Sequence, residues 1–211
     1  MFQKIACTII LILSVAFASF TTEASDTIDA FIEEVRTPSY DCPSQSLFPQ
    51  LEKTLLGESL STQQRFALTV AKGQFLICRG KYEEAEKMLL KAIMQSNIDE
   101  TSYAFASAIY QIGFSYDARE NPARCKYYKQ AQDLSSPERH SDIFTSASLG
   151  LISYCSDSSS PEVRLGKMFG VLKRYSNDGS PGELAHIHNS IGLLYGSLEQ
   201  HALAAEQYLK A

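Results

Sequence analysis

The sequence lacks the short motifs by which enzymes of known mechanism are recognised. It contains no GxSxG nucleophile elbow, no SxxK pair and no glycine-rich phosphate loop. Its histidines form no pair at the helical spacing of three or four residues that suits a metal site. These histidines are His140, His186, His188 and His201. We therefore expect no catalytic site, no cofactor and no metal in this chain.

Positive charge is neither abundant nor concentrated. The chain has 19 lysines and arginines against 24 aspartates and glutamates, which gives a formal net charge of -5, and the basic residues are scattered along the sequence. Proteins that bind nucleic acid or anionic lipid instead gather basic side chains into a patch that neutralises phosphates. Nucleic acid is therefore not an expected partner.

One long apolar run occurs, and it lies at the N-terminus. Residues 5–17 (IACTIILILSVAF) follow a single positive charge at Lys4 and precede small residues suited to signal peptidase. The run is shorter than the roughly 20 apolar residues that span a membrane, and the sequence becomes polar at Thr21. We predict a signal peptide over residues 1–24 and export to a bacterial periplasm. A leader retained as an anchor is the alternative.

Four segments of the remaining chain share a pattern centred on a glycine. The glycines are 40, 37 and 42 residues apart by subtraction of their numbers, and they are Gly73, Gly113, Gly150 and Gly192. The last segment also carries Tyr195, Ala204, Tyr208 and Ala211. The first has Ala85, Leu89 and Ala92 at the corresponding offsets, and its second half begins with GKYEEAE. The second keeps Tyr116, Tyr128 and Ala131, whereas the third keeps only its glycine.

At these offsets the chain resembles the tetratricopeptide (TPR) repeat family, whose usual unit is about 34 residues long. The resemblance implies an all-α fold, a right-handed solenoid of antiparallel helix pairs. It places repeats over residues 61–98, 101–136, 140–176 and 182–211, the last truncated, after a helical cap over residues 25–60. A small residue is needed where paired helices come closest, which accounts for the glycines.

Hydrophobic periodicity and turn residues predict the individual helices. We expect them over residues 26–35, 44–56, 62–78, 82–95, 101–116, 122–134, 142–155, 161–175 and 183–198, and from residue 202 onward. An extended stretch, residues 37–43, should separate the two helices of the cap.

Four cysteines follow the predicted leader in a chain sent toward an oxidising compartment. Cys125 lies at the start of the second helix of one predicted pair, and Cys155 lies at the end of the first helix of the following pair. These two helices run antiparallel, so the two cysteines are neighbours. Cys42 and Cys78 repeat that arrangement one step earlier. We therefore predict the disulfides Cys42–Cys78 and Cys125–Cys155. Four buried free thiols are the alternative.

In TPR proteins, fixed positions of each first helix line a concave surface, so the resemblance implies a groove at these positions. Counting from the glycines gives Gln74, Tyr110, Phe114, Leu151, Asn189 and Leu193, beside Val70 and Ala147. The lysines and asparagines with which relatives clamp a C-terminal carboxylate are missing here. An apolar or aromatic segment of a protein or peptide is therefore the expected partner. The alternative is that the following repeat covers these residues.

The chain stops at Ala211 within a predicted helix and without a polar cap. Exported TPR segments of this kind resemble the sensory regions of bacterial membrane proteins that carry a GGDEF diguanylate cyclase or a histidine kinase. We therefore expect a non-enzymatic sensory or regulatory ectodomain, tethered to the membrane through a later segment. A free periplasmic scaffold for envelope assembly is the alternative.

Overall fold

The computed structural model describes residues 26–57, 59–95, 97–155, 159–177 and 179–211. Within these ranges the chain is helical, without β-strands, which confirms the all-α prediction. The predicted signal peptide, residues 1–24, lies outside them. The helices are α1 (residues 26–35), α2 (Phe48–Leu55), α3 (Thr62–Cys78), α4 (Tyr82–Gln95), α5 (Tyr103–Asp117), α6 (Arg124–Asp133), α7 (Ser141–Tyr154), α8 (Pro161–Tyr175), α9 (Pro181–Ser197) and α10 (His201–Tyr208).

Serine side chains fix where several helices begin. Ser61 and Ser180 each form a capping box, in which the serine accepts a backbone N–H and a Gln or Glu three residues on accepts the serine's own N–H. The box at Ser180 starts α9 at Pro181, two residues before the predicted start. A short 3-10 helix, Gln45–Leu47, precedes α2, so the predicted helix over residues 44–56 is divided.

From α3 onward each helix packs against the next, so that α3–α4, α5–α6, α7–α8 and α9–α10 form successive pairs. The first helix of each pair also contacts the first helix of the next pair. We call α3, α5, α7 and α9 the first helices. The buried apolar residues form three clusters along this order of helices, and not a single central core. The first cluster joins the cap to α3 through Phe31, Val35, Leu51, Leu68 and Phe75. The cap is therefore packed against the helices that follow it.

Glycines allow the helix pairs to approach closely. A Cβ on Gly73 would lie 3.0 Å from a Leu89 methyl of α4, and one on Gly192 would lie 2.5 Å from the Tyr208 ring of α10. In both pairs the glycine of the first helix thus faces a large side chain of its own second helix. This is the arrangement that the spacing of the glycines predicts.

The third pair departs from this arrangement. A Cβ on Gly150 of α7 would lie 2.7 Å from the ring of Tyr128, which belongs to α6 and not to α8. Tyr128 also faces Gly113 of α5, at 3.0 Å from the position of a Cβ, so its buried ring lies between two glycines. Its hydroxyl donates a hydrogen bond to Asp117. The atoms nearest to a Cβ on Gly150 thus belong to the preceding helix, and this is the segment that keeps only its glycine from the repeat pattern.

Two disulfides are present, Cys42–Cys78 and Cys125–Cys155, the same pairs that the sequence predicts. Their Cα atoms are 5.9 and 5.5 Å apart. Such bonds persist in oxidising compartments, so they indicate an exported environment. Among the described residues no helix combines the length and the hydrophobicity needed to cross a membrane.

We predict opposite effects of alanine at two glycines. Gly150→Ala should lower the free energy of unfolding by about 1–3 kcal/mol, because the added methyl overlaps the buried Tyr128 ring. Gly166→Ala, inside the exposed face of α8 with nothing within 4 Å, should raise it by about 0.5–1 kcal/mol. Urea unfolding measures both. Equal effects of the two substitutions would contradict the packing described here.

Candidate functional site

Residues 36–43 connect α1 to the short helix before α2, and we call them the strap. The sequence predicts an extended stretch here, but the strap contains a tight turn over residues 38–41. In this turn the Asp41 amide donates to the Pro38 carbonyl over 3.0 Å. This bond between the first and fourth residues is that of a β-turn, so the strap is not extended throughout as predicted.

The turn is held first by Gln74 of α3. The Gln74 side-chain amide donates to the carbonyl oxygens of Pro38, at 2.9 Å, and Asp41, at 2.6 Å. These two carbonyls open and close the turn. The buried Gln74 amide therefore binds the main chain of the turn and not the side chains of the turn.

Helix α7 binds the first central residue of the turn, Ser39. The Ser39 amide donates to the Asp142 carboxylate, and the Ser39 hydroxyl donates to the Asp142 main-chain carbonyl, both over 2.9 Å. The Ser39 and Ser146 hydroxyls are 2.8 Å apart. Since the single proton of the Ser39 hydroxyl goes to Asp142, Ser146 is the donor in that contact. Tyr103 of α5 donates to the same carboxylate, and burial raises the pKa of its phenol.

Helix α9 binds the second central residue, Tyr40. The Tyr40 ring stacks on His186 with centroids 5.4 Å apart and an interplanar angle of 23°. Its hydroxyl lies 3.4 Å from the Ser180 hydroxyl. A Cβ on Gly182 would come within 3.0 Å of the Tyr40 ring, so glycine leaves room for it.

The Arg36 guanidinium of the strap lies over the Tyr103 ring of α5, 4.9 Å from its centroid. The strap thus contacts all four first helices, α3, α5, α7 and α9. The first helices α5, α7 and α9 also line a pocket next to the strap. We use the term first-helix face for the part of the first helices' surface that contacts the strap or lines this pocket. The pocket has a volume of about 730 Å³ and shares Ser146 and His186 with the strap. It continues the surface that the strap covers.

Tyrosines, serines and Arg164 supply the polar groups that line the pocket. Arg164 donates to the Ser153 carbonyl over 3.1 Å, while its buried Nε has no partner. Asp117 at the pocket wall is paired with Arg124 over 3.0 Å. Burial raises the pKa of Asp117, whereas the bonds from Tyr128 and Arg124 oppose that rise. Tyr154 is 44% exposed, with the Arg124 guanidinium over its ring.

The structure distributes the predicted groove residues over three places. Tyr110, Phe114, Asn189 and Leu193 line the pocket, with Tyr110 buried and Leu193 56% exposed. Gln74 binds the strap and borders a separate cavity of about 310 Å³ between α1, α3 and α5. Leu151 borders a depression beside α8 and not the pocket. The predicted single groove is therefore divided.

Sequence reasoning missed the residues that hold the strap from α7 and α9. Counting back from Gly150 selects Ala147, whereas the strap contacts Ser146 and Asp142, which lie at other positions of α7. His186 and Gly182 lie outside the counted positions as well. The capping box at Ser180 was a usable signal, since it places Gly182 and His186 in the first turns of α9.

Within the described ranges, no three His, Cys, Asp or Glu side chains cluster in a way that could hold a metal ion. No protein-family model matches the chain, and no curated protein or solved structure is significantly similar to it. The functional argument therefore depends on the geometry of the first-helix face.

We predict that His186 makes the fold less stable in mild acid. Desolvation lowers its pKa from 6.5 to about 4, so the folded protein keeps the ring neutral where the unfolded chain takes up a proton. The free energy of unfolding should therefore fall between pH 6.5 and 4, by at most about 3 kcal/mol. Urea unfolding across this range measures the loss.

His186→Phe keeps an aromatic ring for Tyr40 to stack on and removes the titration. It should abolish this part of the pH dependence, whereas His201→Gln, at an exposed position at the start of α10, should leave it unchanged. A His186→Phe variant with the full acid dependence would show that other groups cause it.

Proposed function

We propose that the protein is a peptide- or protein-binding helical-repeat module of the TPR type that works in the periplasm through its first-helix face. The observation that carries this proposal is the strap itself. A non-helical segment of the same chain lies across four successive first helices and contacts a side chain of each, Gln74, Tyr103, Asp142 and His186.

Repeat proteins use extended surfaces of this kind because stacked helix pairs present equivalent positions side by side. Side-chain amides and carboxylates that bind the main chain accept many sequences, while adjacent pockets add specificity. Gln74 and Asp142 supply such main-chain contacts here. The pocket beside the strap supplies the specificity.

The pocket suits a side chain with an aromatic or apolar body and a polar end. Phe114 and Leu193 provide apolar surface, while Tyr154 and Arg164 line the polar part of the pocket. Aromatic anchors that fill such pockets contribute a large share of binding energy at protein interfaces. A partner segment with one aromatic residue therefore fits this site best.

The setting of this activity is an exported sensory or regulatory region of a membrane signalling protein. The two disulfides support export, and the repeat spacing supports the resemblance to such regions. The module would act by binding and would leave catalysis to another domain.

Peptide selection tests the proposal. A random peptide library is enriched on the oxidised chain, and the affinities of selected peptides are measured by fluorescence anisotropy. Leu193→Arg places a charge at the pocket and should weaken binding at least about tenfold, a change of about 1.4 kcal/mol. Met94→Arg, at an 80% exposed position on α4, is the matched control and should change the affinity less than about twofold.

Failure to enrich any peptide would contradict the proposed function. Equal losses from Leu193→Arg and Met94→Arg would contradict the assignment of the site to the first-helix face.

A further inference from the structure

We propose that the turn over residues 38–41 is an intramolecular ligand, which occupies a site that also binds partner segments of the same chemistry. That chemistry is a tight turn whose central residues are a serine or threonine followed by an aromatic residue. This inference rests on the proposed function and specifies the partner class.

The two ends of the strap are anchored by buried residues, whereas its middle is more exposed. Phe31 and Val35 of α1 are buried before the strap, and Pro43 and Leu51 are buried at and beyond its end. Between them the side chains of residues 38, 41 and 42 are exposed. Ser39 and Tyr40 are half-buried. Residues 38–42 belong to none of the three apolar clusters, so the middle of the strap is held by polar and ring contacts rather than by the core.

The middle of the strap makes the kind of contacts that a bound peptide makes with its binding site. Gln74 donates to both carbonyls that delimit the turn, so it selects the turn conformation whatever the side chains are. The Asp142 carboxylate accepts the Ser39 amide, which excludes proline at that position because proline has no N–H.

The two central side chains supply the sequence preference. Ser39 donates to the Asp142 carbonyl and accepts from Ser146, a pair of bonds that a hydroxyl can make and an alanine cannot. Tyr40 lies against His186 and above Gly182, a flat site that suits an aromatic ring. Together these contacts define the order of a small hydroxyl residue followed by an aromatic residue.

The tether favours the chain's own turn over any free peptide. Cys42, directly after the turn, is joined to Cys78 at the end of α3, and the preceding helix is packed in the cap. A segment held at both ends has an effective concentration in the millimolar range or above. A partner turn must therefore displace the strap, and a test of the turn site must first weaken it. The adjacent pocket, where Leu193 is 56% exposed, needs no such step.

The experiment uses a fluorescein-labelled peptide with the sequence of residues 36–43 and serine in place of Cys42. Its affinity is measured by anisotropy for the oxidised chain and for the oxidised variant Ser39→Gly/Tyr40→Ala, in which the strap loses its side-chain contacts. The peptide should bind the variant at least about tenfold more tightly than the unaltered chain. Adding Ser146→Val to the variant should reverse the gain, as should alanine at the Ser39 and Tyr40 positions of the peptide.

A folded variant that binds the peptide no more tightly than the unaltered chain would overturn the proposal, and so would equal binding of the alanine peptide. If the double variant does not fold, Tyr40→Ala alone is used, with the same two outcomes. Library peptides that bind in a Leu193-dependent manner while the strap peptide fails would retain the proposed function and reject the intramolecular ligand. Failure of both kinds of peptide would reject both.

Discussion

The ring of Tyr128 lies between Gly113 of α5 and Gly150 of α7, and the positions of the first helices depend on this contact. A side chain at either glycine would push its helix away from α6. Because both first helices approach the same ring, α7 packs against the preceding pair and directs Asp142 and Ser146 toward the strap. The site that binds the turn is thus a consequence of how two glycines meet one tyrosine.

The strap combines firmly fixed ends with a middle that is held by polar contacts. Its ends are fixed by buried apolar residues and a disulfide, whereas its middle is held by hydrogen bonds and one ring contact. The five hydrogen bonds of the middle to Gln74, Asp142 and Ser146 contribute about 0.5–1.5 kcal/mol net each, and the middle adds no residue to the apolar clusters, so it is expected to open before the helices unfold. The proposed exchange of the strap for a partner segment requires a cover that can open in this way, which a cover built from core residues would not do.

Much of the fold could be predicted from the sequence because its signals are local. Helical periodicity, turn residues and Pro161 at the start of α8 gave most boundaries to within two residues. The disulfides were predictable because antiparallel neighbours place the end of one helix beside the start of another.

The site was less predictable, because its contacts join residues far apart in the chain. Gln74 lies 33 and 36 residues from its two acceptors in the strap, and Asp142 lies 103 residues from Ser39. No sequence pattern marks these pairs. Counting from Gly150 also assumed that this glycine faces its own second helix, whereas it faces Tyr128 of the preceding one. That assumption put Leu151 in a groove to which it does not belong.

The central claim is that the strap lies across the first-helix face, and the contact between Tyr40 and His186 tests it most directly. In the structure these rings stack with centroids 5.4 Å apart, although the residues lie at opposite ends of the described chain. Nuclear Overhauser measurements on the oxidised protein should show cross-peaks between the two sets of ring protons, and Tyr40→Ala should remove them. A spectrum with assigned resonances and no such cross-peak would show that the strap does not cover this face and would contradict the account.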